Sequence, residues 1–108
     1  MSILNRFSLI KRNALVTGAG QGIGRALAMA LAEAGANVAV VDRNGDTAKQ
    51  TAKEINALGV KTLAIETDVT QTDQVNHMVE HIISQWGQLN IAVNNAGIAI
   101  RSPAESIP

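Results

Sequence analysis

The stretch Asn13-Ala-Leu-Val-Thr-Gly-Ala-Gly-Gln-Gly-Ile-Gly24 decides the fold. Asn13–Thr17 (NALVT) is a short apolar run halted by Gly18, the pattern of a buried strand. Ile23, Leu27, Leu31 and Ala34 then recur at helical spacing until Gly35, which sits where a helix C-cap glycine belongs. Between strand and helix lies a glycine-rich turn. The strict G-x-G-x-x-G spacing fails, because from Gly18 and Gly20 the third glycine would fall at Ile23. The spacing present is G-x-x-x-G-x-G, through Gly18, Gly22 and Gly24. Its physical demands are the same: a tight turn, backbone bare enough to touch a pyrophosphate, and amides at a helix N-terminus facing negative charge. Glycines also serve as plain turn formers, so the strand–loop–helix context carries the dinucleotide reading.

Downstream the alternation repeats. Residues 37–41 (NVAVV) form a second strand, apolar on both faces as in covered parallel sheets. Asn44-Gly45 turns the chain into a polar-faced helix carrying Ala48, Thr51, Ala52, Ile55 and Leu58, stopped by Gly59. Residues 61–65 (KTLAI) are a third strand. Thr70 with Asp73 reads as a capping box. It opens a third helix whose Val75, Met78, Val79, Ile82, Ile83 and Trp86 make one apolar stripe, within about 140° of arc. Gly87 ends that helix, and residues 89–93 (LNIAV) are a fourth strand. A β-α-β-α-β-α-β order predicts an α/β fold, a Rossmann-type doubly wound parallel sheet with right-handed crossovers. Such a sheet ordinarily continues past its switch point. Ser102-Pro103-Ala104-Glu105 announces another helix just before Pro108. Residues 1–108 are therefore expected to be a single dinucleotide-binding segment, the front portion of something longer.

Composition narrows the chemistry. The 108 residues carry nine Lys+Arg against nine Asp+Glu, a formal net charge of zero, and offer no charge-based reason to expect nucleic acid or a membrane surface as partner. With no cysteine there is no disulfide, thiolate nucleophile or zinc–thiolate site, and with no tyrosine no phenol acts as acid or base. Met1 to Arg12 lacks the continuous apolar stretch of a signal peptide, and no run approaches a membrane span. A soluble cytoplasmic protein is the expectation.

Three further signals follow strand ends. Asp42 lies directly after the second strand, 18 residues beyond Gly24. That is near the offset of about 20 at which a carboxylate accepts hydrogen bonds from adenosine ribose hydroxyls. A turn-forming Asp before Asn44-Gly45 is the plainer alternative. Arg43 could stack on adenine or meet a 2′-phosphate, and Gln21 in the glycine loop is not a cation; the carboxylate decides for NAD over NADP. Asp68-Val69 follows the third strand, where an adenine amino group would arrive, although Asp68 could simply start the next helix. Asn94-Asn95-Ala96-Gly97 follows the fourth strand, at the ligand edge of an open sheet. Two apparent motifs are set aside. His77-Met78-Val79-Glu80-His81 matches the H-x-x-E-H zinc pattern, but its histidines point away from the helix's apolar stripe. Residues 42–46 begin like a calcium loop, yet Thr47 and Lys53 stand where Gly and Glu are required. No metal is expected.

Taken together, Thr17-Gly-x-x-x-Gly-Ile-Gly24, the acid ending the second strand, Asp68-Val69 and Asn94-Asn95-Ala96-Gly97 closely resemble the short-chain dehydrogenase/reductase family. The lead-in Phe7-Ser8-Leu9 and Ala14-Leu15-Val16 resembles it too, with Lys11-Arg12 where a Gly-Lys turn is usual. The resemblance implies hydride exchange between a nicotinamide cofactor and a secondary alcohol or ketone, with sugar or polyol chemistry suggested only by overall likeness. By position, Gly18, Gln21, Gly22, Ile23 and Gly24 would hold the pyrophosphate. Asp42 would take the adenosine ribose, with Arg43 beside it among the cofactor-binding residues, and Asp68 and Val69 the adenine. Asn95, Ala96 and Gly97 would line the nicotinamide-side ribose, while Asn94 braces the central strand. A homo-oligomer is implied for the full-length protein. The family's Tyr-x-x-x-Lys motif is absent, so no catalytic residue is assigned and this chain alone is expected to be inactive. The alternative is a non-catalytic dinucleotide-binding module. A strand order of 3-2-1-4 would leave the fourth strand at an edge, with Ile91 and Val93 exposed and the chain prone to aggregate.

Overall fold

The computed structural model describes residues 8–95. Its elements run β1 (Asn13–Thr17), α1 (Gly22–Glu33), β2 (Asn37–Asp42), α2 (Gly45–Asn56), β3 (Thr62–Glu66), α3 (Thr72–Trp86) and β4 (Ile91–Val93). All strand pairs are parallel, in the order β3-β2-β1-β4. The predicted alternation and strand order hold. β1 is buried throughout, because alternate residues serve opposite faces. Ala14 and Val16 join Val38, Val40, Ala28, Ala32 and Ile55 under α1 and α2. Leu15 joins Ala39, Val41, Met78 and Ile82 under α3.

Small residues let α1 lie close to the sheet. Gly24, Ala28 and Ala32, four apart, are its buried line. The helix ends as Gly35 predicts: at φ 104° its amide donates to the Ala32 carbonyl, and the Ala36 amide to Leu31. These two bonds form a Schellman cap. Arg25 pairs with Glu54, tying α1 to α2.

Three expectations are corrected. Thr70 does not cap α3. Gln71 is the N-cap and supplies no side-chain bond. The stronger acceptor two residues back takes Thr70 instead: Asp68 Oδ1 accepts its hydroxyl at 2.6 Å and its amide at 2.9 Å. Ile83, placed on the apolar stripe, is 41% exposed at its margin. Finally, Ile91 and Val93 are half-buried against Ala14 and Val16, and Ala92 is the exposed member of β4.

β4 starts at Ile91 rather than Leu89 because a side chain intervenes. The Asn13 amide donates to Asn90 Oδ1 at 2.8 Å, and the Asn90 amide returns a bond to the Asn13 carbonyl, also 2.8 Å. The same motif continues across the sheet's N-terminal edge. Asn37 Nδ2 donates to Asn13 Oδ1 at 2.9 Å, and the Lys61 amide donates to Asn37 Oδ1 at 3.0 Å. Asn13 Nδ2 in turn reaches the Gln88 carbonyl at 3.0 Å. A row of side-chain amides thus links all four strands at the end where the helices finish.

Candidate functional site

The opposite, carboxyl edge holds a cleft of about 390 Å³ lined by Gly18, Gln21, Gly22, Asp42, Arg43, Thr67, Val69 and Asn95. Strand ends β1, β2, β3 and β4 each contribute, because every parallel strand delivers its following loop to the same edge. Gly18 and Gly22 adopt φ 64° and 62°, left-handed values that favour glycine. Nothing lies within 4 Å of where a Gly22 side chain would start, so its backbone faces open space. Gln21 caps α1 without a side-chain bond, and the first turn holds no acidic residue. The first amides of α1 thus have no side-chain cap, an arrangement in which a helix N-terminus could hold a phosphate.

Gly24 has a different task. A Cβ there would sit 2.0 Å from the Gly18 carbonyl oxygen and 2.6 Å from Asn95 Nδ2. It lets α1 start directly beneath the loop. Thr17 and Asn95 close the same corner. The Asn95 amide donates to Thr17 Oγ1 at 2.9 Å, and Thr17 Oγ1 donates to Asn94 Oδ1 at 3.0 Å. Asn94 therefore braces β1 against the end of β4.

Asp42 is held on both sides. Its Oδ2 accepts the Gly20 amide at 2.8 Å and its Oδ1 the Asn44 amide at 3.0 Å. Asn44 is itself fixed as the cap of α2, accepting from the amides of Asp46 and Thr47. The carboxylate is thereby oriented at the cleft wall by backbone donors. Asp68 is not part of that wall; Val69 is. The Thr70 hydroxyl, then its amide, hold the Asp68 carboxyl below the usual carboxylate range, with Arg43 adding a smaller attraction. Ile23 is 74% exposed in the first turn of α1, outside the cleft lining. Ala96 and Gly97 lie outside the described residues. His77 and His81 are exposed on α3, and no group of three metal-ligating side chains occurs among the described residues.

Two residues escaped the sequence reading. Thr67 is buried on the cleft wall, its amide donating to the Asp42 carbonyl at 2.9 Å. No spacing rule marks it. Gly20, discounted because it breaks the motif's count, is required by packing. A Cβ there would fall 2.2 Å from Thr47 Oγ1 and 2.8 Å from Asp42 Oδ2.

The model of the short chain dehydrogenase family matches residues 12–108. The chain belongs to the short-chain dehydrogenase family. Its sequence is 46% identical over 90 residues to a 3-oxoacyl-(acyl-carrier-protein) reductase of Staphylococcus epidermidis, covering 82% of this chain and 37% of that one. It is 49% identical over 94 residues to a short chain dehydrogenase/reductase of Aspergillus oryzae, covering 86% and 36%. Among solved structures, a short-chain type dehydrogenase/reductase from Mycobacterium marinum superposes with a TM-score of 0.84 at 45% identity, covering 100% and 44%. A 7α-hydroxysteroid dehydrogenase complexed with NADH and 7-oxo glycochenodeoxycholic acid gives 0.85 at 38%, covering 90% and 38%. This chain thus spans between 36% and 44% of the length of these family members. No helix among the described residues is long and apolar enough to cross a membrane.

Proposed function

We propose that this chain is the dinucleotide-binding part of an NAD-dependent oxidoreductase that moves a hydride between the cofactor and a secondary alcohol or ketone. The observation that carries the reading is the Asp42 carboxylate, fixed by two backbone amides beside the bare turn of Gly18 and Gly22. Gly18, Gln21, Gly22, Ile23 and Gly24 hold the pyrophosphate through backbone amides and the start of α1. Asp42 accepts hydrogen bonds from the adenosine ribose hydroxyls, and Arg43 lies beside it. Val69, with Asp68 behind it, flanks the adenine. Asn95 faces the nicotinamide-side ribose; Ala96 and Gly97, outside the described residues, are assigned to the same ribose by their sequence position alone. A bound nicotinamide ring supplies or accepts the hydride. The chain's own part is to bind and orient, since it contains no tyrosine to hold the proton of a developing alkoxide. Support for the substrate class comes from relatives named as a cyclohexanol dehydrogenase and a hydroxysteroid dehydrogenase.

Charged hydrogen bonds contribute about 1.5–3 kcal/mol, so Asp42 gives a preference for NAD over NADP of roughly 10- to 100-fold. Calorimetric titration of both dinucleotides measures it, and Asp42→Ala should narrow it. Equal or tighter binding of NADP by the unmutated chain overturns the assignment. The second reading, a dinucleotide-binding module without chemistry, rests on the missing tyrosine. Hydride transfer above a buffer control by a longer protein that contains this chain, across several alcohols and ketones, would exclude it.

A further inference from the structure

Thr51 holds a hydroxyl that neither the core nor the cleft lining uses. It is 1% exposed on α2, among Ala48, Ala52 and Ile55. An apolar side chain would fill that place with no polar group to satisfy, and branching at Cβ restricts rotamers inside a helix. A helix-interior threonine ordinarily returns its proton to the carbonyl one turn back. Thr51 instead donates to the Gly20 carbonyl at 3.2 Å, 31 residues earlier in the chain.

The amide of the same Gly20 donates to Asp42 Oδ2 at 2.8 Å. Gly20 is therefore clamped by its two polar groups, the carbonyl to α2 and the amide to the carboxylate ending β2. Thr47, one turn before Thr51, packs over its Cα so closely that no side chain fits there. The result is a relay from α2 through the glycine loop to Asp42. Its far end is the one acidic side chain lining the cleft among the described residues.

We infer that Thr51 is a positioning residue for Asp42. Acting through Gly20, it sets the seat of the carboxylate and hence the preference for a dinucleotide with free ribose hydroxyls over one bearing a 2′-phosphate. The inference rests on the assignment of Asp42 to the adenosine ribose. Thr51 touches no ligand. Without its hydroxyl the buried Gly20 carbonyl lacks that donor, and Gly20, tied to the sheet only through the neighbouring Ala19 amide on the Val41 carbonyl, is held less firmly against Asp42, loosening one of the carboxylate's two anchors.

The test uses the full chain, with NAD and NADP titrated calorimetrically against the unmutated protein, Thr51→Val, Thr51→Ser, Asp42→Ala and the Thr51→Val/Asp42→Ala pair. One hydrogen bond corresponds to about a fivefold change. Thr51→Val should weaken NAD by about that factor, leave NADP nearly unchanged, and speed amide exchange at Gly20 before any cofactor is added. Thr51→Ser should restore all three. In the Asp42→Ala background, Thr51→Val should alter neither affinity. A Thr51→Val chain that melts lower but keeps its full preference for NAD makes Thr51 a structural brace and overturns the inference. An equal loss in the Asp42→Ala background overturns it as well. If Thr51→Val fails to fold, Thr51→Ala takes its place in every arm. Should the unmutated chain show no preference for NAD, the ribose assignment fails. Gly20 exchange and the Asp42 carboxyl chemical shift, both read without cofactor, then decide whether Thr51 seats the carboxylate.

Discussion

Gly24→Ala sets two effects of known size against each other. An alanine inside a helix gains about 1 kcal/mol over glycine, so propensity alone predicts stabilisation. The added Cβ, however, would stand 2.0 Å from the Gly18 carbonyl oxygen and 2.7 Å from its carbon, where ordinary contact begins at 3.4 Å. Both are backbone atoms, in a turn already at φ 64° and beside Asn95 Nδ2. Nothing there yields by a simple rotamer change. Overpacking costs about 1–3 kcal/mol, and a backbone displacement above an ångström belongs at the upper end. The net is a loss of about 2 kcal/mol, a fall in melting temperature of roughly 8–16 °C for a chain of this size. Gly22→Ala is the control. It meets nothing within 4 Å and costs only the left-handed conformation, about 1–2 kcal/mol, which Gly22→Asn should partly recover. Thermal and urea melts of the three variants give the comparison. A Gly24→Ala chain melting at or above the unmutated protein would refute the packing argument.

Three further outcomes are expected. Asp68's carboxyl is depressed in the folded chain, so its turn contributes stability fully above the ordinary aspartate value near about pH 4 and loses it as pH falls through the lower folded value. Thr70→Ala should raise the Asp68 value in an NMR titration and flatten that acid limb; an unchanged titration contradicts the hydrogen bonds. At the outer edge of β4, Ala92→Lys should increase the soluble monomer fraction in sedimentation. An unmutated chain that sediments wholly as monomer would show the edge is harmless. Replacing both exposed histidines, His77→Asn and His81→Asn, should change stability by no more than about 0.5 kcal/mol, with no zinc retained by either form.

Fold and cleft differ in how far the sequence reveals them. Strands and helices were legible because burial imposes a period: NALVT and NVAVV can only be covered on both faces, and Gly35 and Gly87 end helices by conformations other residues resist. The acid at Asp42 was legible because its place is fixed by chain direction. Gly20, Thr51 and Thr67 were not, since each matters through a partner far along the chain. Gly20 looked surplus by spacing, and only the approach of Thr47, 27 residues later, explains it. Thr70 misled for a related reason. The capping pattern is a statement about available acceptors, and Asp68 won the competition.

The row of asparagine amides at the far edge of the sheet bears on how the strands find alignment. NALVT, NVAVV and IAV are nearly interchangeable aliphatic ribbons, apolar on both sides, so sliding one past its neighbour forfeits little packing. Asn13, Asn37 and Asn90 break that degeneracy. Each satisfies its partner in one alignment only, and the buried Asn13 amide, left unmatched, costs about 1–3 kcal/mol. The chain thus proofreads its own strand alignment at one end, and the carboxyl ends stay free to carry irregular turns without having to hold the sheet in step.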